Sequence, residues 1–228
     1  MDQLKRLVAG MIDYALLAPQ LSDQELDRGC ETGLNYRVAS LCVKPYHVPR
    51  TAMHLKDSPV ALSTVIDFPH GNNPLSIKLL QIETAMREGA IELDAVITIG
   101  KVFSEDWDGL EREIGAMTRL VHDGSALIKI IFETGYLKSE TIIRLCKICD
   151  ALGVDFIKTS TGFGYVRNPQ GGMTATGATE EVLRLMLDHA GGARVKASGG
   201  IKDFKTALHY REMGVARLGT SSPALILE

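Results

Sequence analysis

The chain alternates between short apolar runs of strand length and longer runs with helical periodicity. Eight strand-like runs lie at about residues 11–17, 38–43, 60–66, 92–99, 126–133, 154–162 with a terminal turn, 194–197 and 217–220. Many are rich in Val, Ile and Leu on both faces, which is typical of buried parallel strands. Each strand and its following helix take about 25 to 30 residues, the size of a crossover unit. Eight such units predict an α/β fold, a closed (β/α)8 TIM barrel rather than an open sheet.

Helical patterns fill the segments between these strands. A short helix over 3–9 precedes the first strand, and Ser22 with Glu25 forms a capping-box pattern that starts a helix to about Asn35. Pro45 and Pro49 open the next helix. The remaining helices are predicted over 74–88, 105–123, 138–152, 179–189 and 203–213. No linker or low-complexity segment divides the chain, so residues 1–228 are predicted to form a single domain.

Composition and charge narrow the range of partners. The 228 residues are 45% hydrophobic and 23% charged, with a formal net charge of -3 and no long basic run. Nucleic acid and anionic membranes are therefore not expected as partners. The apolar runs are of strand length and the N-terminus lacks the core of a signal peptide, so a cytoplasmic location is expected.

The four cysteines are interpreted as reduced packing residues. Cys146 and Cys149 form a C-x-x-C pair inside a helical pattern, and neither a second pair nor a nearby histidine completes a zinc set. A metal or redox role remains the alternative for this pair. The six histidines show neither H-x-H nor H-x-x-x-H spacing, which disfavours a metal-dependent enzyme.

One lysine lies inside an apolar run. Residues 154–157 precede Lys158, and the small polar turn 159–162 follows it. Lysine is rarely fully buried unless it is paired or used in chemistry, and burial disfavours its charged form. A neutral amine attacks carbonyl carbon, so this position suits Schiff-base chemistry. The alternative is a lysine whose ammonium group reaches water from the end of the strand.

Other polar side chains collect at the C-terminal strand ends, where barrels of this kind carry their active sites. They are Asp13, Cys42, Asp67, Asp94, Thr98, Lys129, Glu133, Lys158, Thr161, Lys196 and Ser198. Period-two alternation lets two neighbouring strands point Lys158 and Lys196 at one cavity. A second ammonium group lowers the pKa of the first, and Asp94 can accept and return protons. These three residues are candidates for imine and enamine catalysis, and a purely structural charge network is the alternative.

Two glycine turns indicate a phosphate site. Residues 198–200 (SGG) and 219–222 (GTSS) follow the last two strands. The corresponding loops are a frequent phosphate site in such barrels, because backbone N–H groups converge there and glycine permits close approach. The sequence therefore predicts a phosphorylated small molecule as the substrate.

Seven motifs resemble the deoxyribose-phosphate aldolase family. The most specific are the two motifs that contain lysines, FIKTSTGF at 156–163 and VKASGGIKD at 195–203. Further matches are SLCVKPYHV at 40–48, STVIDFPHG at 63–71, ELDAVITIG at 92–100, IKIIFETGYL at 128–137 and LGTSS at 218–222, and the seven span nearly the whole chain. The resemblance implies a class I aldolase that reversibly cleaves 2-deoxy-D-ribose 5-phosphate to D-glyceraldehyde 3-phosphate and acetaldehyde. It also implies a homodimer that needs no metal or other cofactor.

The resemblance assigns roles to individual residues. Lys158 would form the Schiff base, Lys196 would depress its pKa, and Asp94 would relay protons. Residues expected to bind substrate or its phosphate are Asp13, Thr161, Gly199, Gly200, Gly219 and Ser221. Cys42 lies near the pocket in the family without a required catalytic role.

The chain also departs from the family pattern. Ala18 replaces a frequent Lys, Asp67 replaces Gly, and Thr98 replaces Asn. Asp67 would bring negative charge to the mouth of the barrel unless a cation offsets it. The segment 164–177 is longer than usual and is interpreted either as a mobile flap or as a loop without function. On that segment, Arg167 is a hypothetical phosphate contact.

Two further hypotheses remain open from the sequence. One is a related lysine-dependent aldolase or lyase with a different aldehyde acceptor, since the three departures leave the identity of the acceptor open. The other is a barrel that binds a sugar phosphate without turning it over. A binding protein has no need of Lys158, Lys196 and Asp94 together, so the sequence favours the enzyme.

Overall fold

The computed structural model describes residues 2–168 and 170–228. Its strands, numbered in chain order, are β1 (Ile12–Leu16), β2 (Ser40–Val43), β3 (Ala61–Ile66), β4 (Glu92–Val96), β5 (Leu127–Ile131), β6 (Phe156–Lys158), β7 (Tyr165–Arg167), β8 (Met173–Ala175), β9 (Arg194–Ser198) and β10 (Arg217–Thr220). All except β7 and β8 form one closed parallel barrel, in which β1 pairs with both β2 and β10. The predicted (β/α)8 barrel is confirmed.

The helices cover the outside of the barrel. They are α1 (Gln3–Ala9), α2 (Asp23–Tyr36), α3 (Val48–His54), α4 (Leu75–Arg87), α5 (Ile99–Phe103), α6 (Trp107–Asp123), α7 (Ser139–Ala151), α8 (Glu180–His189), α9 (Phe204–Glu212) and α10 (Pro223–Leu227). Short 3-10 turns lie at Pro45–His47 and Thr134–Tyr136. Within the described part of the chain, no helix has the length and apolar character needed to cross a membrane.

Alternation along each strand separates an apolar outer layer from a polar interior. In β4, Leu93 and Ala95 belong to the apolar core between sheet and helices, whereas the side chain of Asp94 points the other way. In β5, Ile128 and Ile130 likewise join that core, and Lys129 between them faces the interior. The same period-two pattern that drives outward burial therefore places charged groups inside the barrel.

Local capping explains where several helices begin. Ser22 and Glu25 form both bonds of the predicted capping box at the start of α2. The helix predicted over 105–123 instead begins at Trp107, because the side chain of Asp106 accepts a hydrogen bond from the Gly109 N–H at 2.9 Å. The strand predicted over 92–99 ends at Val96, and α5 follows it. Neither α5 nor α10 was predicted, since each is only five residues long.

The long segment 164–177 contains an antiparallel hairpin of β7 and β8, with Arg167 opposite Met173. Its turn is held by Asn168, whose side-chain oxygen accepts from the Gly172 N–H at 2.8 Å. Strands of three residues give too little alternation to be recognised from sequence. Pro169, in the same segment, lies outside the described residues.

Candidate active site

Among the described residues, seven charged side chains meet inside the barrel. The cations are Lys129, Lys158, Lys196 and Arg217, and the anions are Asp13, Glu92 and Asp94. Strand register brings them together: Asp94 is opposite Lys129 on β4 and β5, and Lys158 is opposite Lys196 on β6 and β9. With all seven ionised, the group would carry one excess positive charge. Loss of the proton from one lysine would make the group electrically neutral.

Asp94 lies at the centre of this group. Its Oδ2 is 2.7 Å from the Nζ of both Lys158 and Lys196, and its Oδ1 is 2.8 Å from the Nζ of Lys129. The structure therefore places both predicted catalytic lysines within direct hydrogen-bond distance of Asp94. Such a buried carboxylate can exchange protons with the amine beside it without crossing bulk water.

Asp13 forms an ion pair with Lys196, the second of the two predicted catalytic lysines. Its Oδ2 is 2.5 Å from Lys196 Nζ, and its Oδ1 accepts a hydrogen bond from Ser40 Oγ at 2.7 Å and another from Arg217. Asp13 is fully buried and does not line the large cavity described below. Its position is thus beside the lysines and not among the predicted phosphate contacts.

Electrostatics distinguish the two lysines. Burial lowers the pKa of Lys158, and the neighbouring charge of Lys196 lowers it further, against the opposing effect of Asp94. Burial also acts to lower the pKa of Lys196, but the carboxylates of Asp13 and Asp94 outweigh it and raise that pKa. The pKa of Lys129 is likewise raised, because three carboxylates together overcome its burial. Lys158 is therefore the lysine whose deprotonation the site favours.

A cavity of about 520 Å³ opens at the C-terminal ends of β1, β6, β9 and β10. Six residues were predicted to bind substrate or its phosphate, and all of them except Asp13 line this cavity. They are Thr161, Gly199, Gly200, Gly219 and Ser221. Lys202 also lines it. The cavity therefore combines two glycine turns with one exposed ammonium group, a combination suited to an anion.

Glycine is required at two positions on this cavity. Gly200 has φ of +84°, in the region that L side chains rarely adopt. A Cβ on Gly219 would stand 2.5 Å from Ser198 Oγ and 3.4 Å from Lys196 Cε. Gly219 thus lets its turn approach the lysine group, and it joins the cavity to the buried charges.

Two of the departures from the family pattern belong to a second buried group of charges. Lys78 on α4 is fully buried, and its Nζ is 3.3 Å from Asp67 and 2.9 Å from Glu113. The hydroxyl of Thr98 donates to Glu113 at 2.7 Å. The charge of Asp67 is therefore offset inside the protein. Lys78 was not identified from the sequence, although it lies three residues after Leu75 and four before Ile82 on an otherwise apolar helix face.

Other sequence interpretations have plainer outcomes. All four cysteines are buried free thiols, as expected for packing residues, and burial raises the pKa of Cys42.

Arg167 is exposed on β7 and is not among the residues that line the cavity. Among residues 2–168 and 170–228, no group of three or more His, Cys, Asp or Glu side chains is arranged to hold a metal ion. The predicted independence from metals and cofactors stays a prediction.

Sequence reasoning left Arg217 and Glu92 without a role. Arg217 bonds to Asp13 and, through NH2, to Glu92 Oε1 at 2.9 Å, while Glu92 Oε2 is 2.7 Å from Lys129 Nζ. Both lie two residues from identified site residues, Gly219 and Asp94, on the same strands. The period-two rule that placed Asp94 in the interior could also have selected this pair.

The fold and the site together define a class of protein. It is an α/β barrel with buried lysines next to a cavity at the C-terminal strand ends, an arrangement suited to reactions at a lysine amine. Residues 9–220 match the model of the DeoC/LacD family aldolases, and the chain belongs to that family.

The chain is similar in sequence and structure to several named aldolases. The deoxyribose-phosphate aldolase of Rhodopirellula baltica is 43% identical over 96% of this chain and 88% of its own length. The solved structure of the aldolase QR15 is 38% identical, with a TM-score of 0.87 over 96% of this chain and 94% of its own. The deoxyribose phosphate aldolase of Aeropyrum pernix, described as tetrameric, has a TM-score of 0.87 at 27% identity over 98% of this chain and 90% of its own.

Proposed function

We propose that this protein is a deoxyribose-phosphate aldolase, a lyase that reversibly cleaves 2-deoxy-D-ribose 5-phosphate to D-glyceraldehyde 3-phosphate and acetaldehyde. The observation that supports it most is the buried Lys158 amine, which has a lowered pKa, lies 2.7 Å from Asp94 and belongs to the lysine group that Gly219 of the cavity approaches. Family membership and the similarity to deoxyribose-phosphate aldolases over nearly the whole chain support it.

In the proposed reaction, the neutral amine of Lys158 attacks the aldehyde carbon of the open-chain sugar. Protonation of the resulting hydroxyl and loss of water give a protonated imine, which acts as an electron sink. Removal of the proton from the hydroxyl on the third carbon breaks the bond between the second and third carbons. Glyceraldehyde 3-phosphate leaves, and the electron pair remains on the lysine adduct as an enamine. Protonation of the enamine and addition of water then release acetaldehyde and restore the amine.

The charged residues around Lys158 act in different steps of this reaction. Asp94 lies against the amine and serves as the proton acceptor and donor, either directly or through a water molecule. Lys196 remains protonated between Asp13 and Asp94, and it favours the neutral form of Lys158. The turns at Gly199, Gly200, Gly219 and Ser221 bind the phosphate, with Lys202 at the same cavity.

A comparison of substrates tests this proposal. We expect kcat/KM for deoxyribose 5-phosphate to exceed that for deoxyribose by at least about 10²-fold, because two hydrogen bonds to a charged group are worth that factor. Acetaldehyde and glyceraldehyde 3-phosphate should form in equal amounts, measured by coupled reduction. Equal rates on both sugars would favour an aldolase with another acceptor. Calorimetric binding of deoxyribose 5-phosphate without turnover would favour the non-catalytic barrel.

The pH profile tests the role of Lys196. In Lys196→Met, the pKa of Lys158 should rise, because the charge that depresses it is gone and two carboxylates lose a counterion. We expect the acidic limb of the kcat/KM profile to move to higher pH by about one unit or more. Lys205→Met, which removes an exposed cation of α9, is the matched control. An unchanged limb in Lys196→Met would show that Lys196 does not set the pKa of the nucleophile.

Three other expectations stay predictions. Organisation as a single domain agrees with the closed barrel from β1 to β10. The homodimer has a candidate surface in the exposed apolar side chains of Tyr46, Met53 and Leu80. The cytoplasmic location rests on the sequence argument given above.

A further inference from the structure

Glu133 is a buried acid that takes no part in the lysine group. It follows β5, is 1% exposed, and has φ of +56°, a left-handed conformation that is uncommon outside glycine. Within the described residues, no Lys, Arg or His side chain lies within ion-pair distance of it. A buried carboxylate without a cation persists only where hydrogen-bond donors surround it.

Those donors come from two different segments. Glu133 Oε2 accepts from the backbone N–H of Thr161 at 3.1 Å and also from the hydroxyl of Thr161. Its Oε1 accepts from the hydroxyl of Thr176 at 3.0 Å. Thr161 is a wall of the cavity three residues after Lys158, whereas Thr176 lies at the base of the β7–β8 hairpin. Glu133 therefore joins the hairpin to the cavity wall.

Thr176 is fixed on its other sides as well. Its N–H donates to the Gly164 carbonyl at 2.8 Å, which closes the base of the hairpin. A Cβ on Gly164 would stand 2.4 Å from Thr176 Oγ1 and 2.9 Å from Glu133 Cδ. The hydroxyl and the carboxylate are thus packed closely against the backbone of Gly164.

The segment after Thr176 contacts the first glycine turn. The N–H of Ala178 donates to the carbonyls of Ser198 and Gly199, at 3.0 and 3.2 Å. A Cβ on Gly177 would stand 2.8 Å from the Gly199 oxygen, so the two backbones touch. A shift of Thr176 would therefore displace the turn that lines the phosphate cavity.

We propose that Glu133 is a positioning residue for phosphate recognition. Through Thr161 and Thr176 its carboxylate fixes the cavity wall and the Gly199 turn in one arrangement, and the hairpin base transmits that position. This inference deepens the proposed function and rests on it, because it assumes that the Gly199 turn binds the substrate phosphate. It gives the long segment 164–177 a role that requires no contact between the hairpin tip and substrate.

The test is Thr176→Val, which keeps the shape of the side chain and removes the hydroxyl bonded to Glu133. We expect KM for deoxyribose 5-phosphate to rise about tenfold, the effect of one lost hydrogen bond to a charged group, with kcat on deoxyribose little changed. Thr174→Val is the matched control, because Thr174 is exposed on the same hairpin and its hydroxyl accepts a hydrogen bond from the Asn168 amide and, among the described residues, has no bond to Glu133. Thr176→Ser retains the hydroxyl and should restore the normal KM.

The outcomes separate this inference from the proposed function. Borohydride trapping of the wild-type adduct with acetaldehyde, which has no phosphate, reports imine chemistry alone. If the wild type forms no adduct or shows no preference for the phosphorylated sugar, the proposed function fails. If the wild type behaves as proposed but Thr176→Val matches Thr174→Val, the positioning role is refuted. It is equally refuted if Thr176→Val slows both sugars to the same extent.

Discussion

Lys158→Met should lower kcat/KM for deoxyribose 5-phosphate by more than about 10⁴-fold, since the covalent intermediate cannot form and enzymes typically accelerate reactions by about 10⁶-fold or more. Borohydride treatment with acetaldehyde should give a reduced adduct on the peptide containing Lys158 in the wild type and none in the variant. Peptide mass mapping locates the adduct. The physical basis is that Lys158 is the lysine of the group with the lowered pKa.

Loss of folding would not explain this result. Removing Lys158 leaves three cations with three anions in the barrel, so the remaining buried charges still balance. We therefore expect the urea midpoint of Lys158→Met to stay close to that of the wild type. Lys158→Arg, which keeps a cation that does not deprotonate, should be equally inactive. Appreciable activity in either variant, or a wild-type adduct on a different lysine, would exclude Lys158 as the nucleophile.

Asp94→Asn should have the second largest effect, and it should act on both catalysis and stability. Loss of a general acid–base group lowers kcat by about 10² to 10⁴-fold. Removing the common partner of three buried lysines should also destabilise the protein by about 3–5 kcal/mol, because the buried cations then outnumber the buried anions. Steady-state kinetics and urea unfolding measure the two effects separately.

A nearby substitution provides the control for Asp94→Asn. Ser63 Oγ donates to Asp94 Oδ1 at 3.4 Å and accepts from Lys129 Nζ at 3.2 Å, so Ser63→Ala removes these two bonds and leaves the contacts of Asp94 with the three lysines in place. We expect its kcat within about tenfold of the wild type, because neither lost bond involves the Lys158 amine. Asp94→Asn with kcat in the same range as Ser63→Ala would contradict a proton-transfer role and would reduce Asp94 to a structural counterion.

The alternation of the strands is readable from the sequence because it is a local property. Each charged residue in an apolar strand must point away from the outer core, and this rule alone predicts that Asp94, Lys158 and Lys196 face the inside of the barrel. The glycine turns are equally local, since their composition and their position after the last two strands indicate an anion site. Arg217 and Glu92 follow the same rule and could have been found with it.

The hairpin and the second charged group could not be found in this way. The base of the hairpin depends on contacts between Glu133, Thr176 and Gly199, which lie far apart in the chain. Asp67 looked like an unfavourable charge at the mouth because its partner Lys78 belongs to another element. Contacts between residues on different elements cannot be predicted from local sequence patterns, because they depend on how the elements pack.

The sequence alone predicts a barrel of eight repeated units, an interior lined with charge, and a lysine in an apolar strand near two glycine turns. Periodicity and local conformational preference suffice for each of these. The sequence also predicts Lys158 as the neutral amine, but the physical reason for that preference lies in the three-dimensional arrangement. That choice depends on how strand register distributes two Asp94 oxygens among three ammonium groups and gives Asp13 to Lys196. Electrostatic energy varies with distances between strands, and a linear sequence contains no such distances.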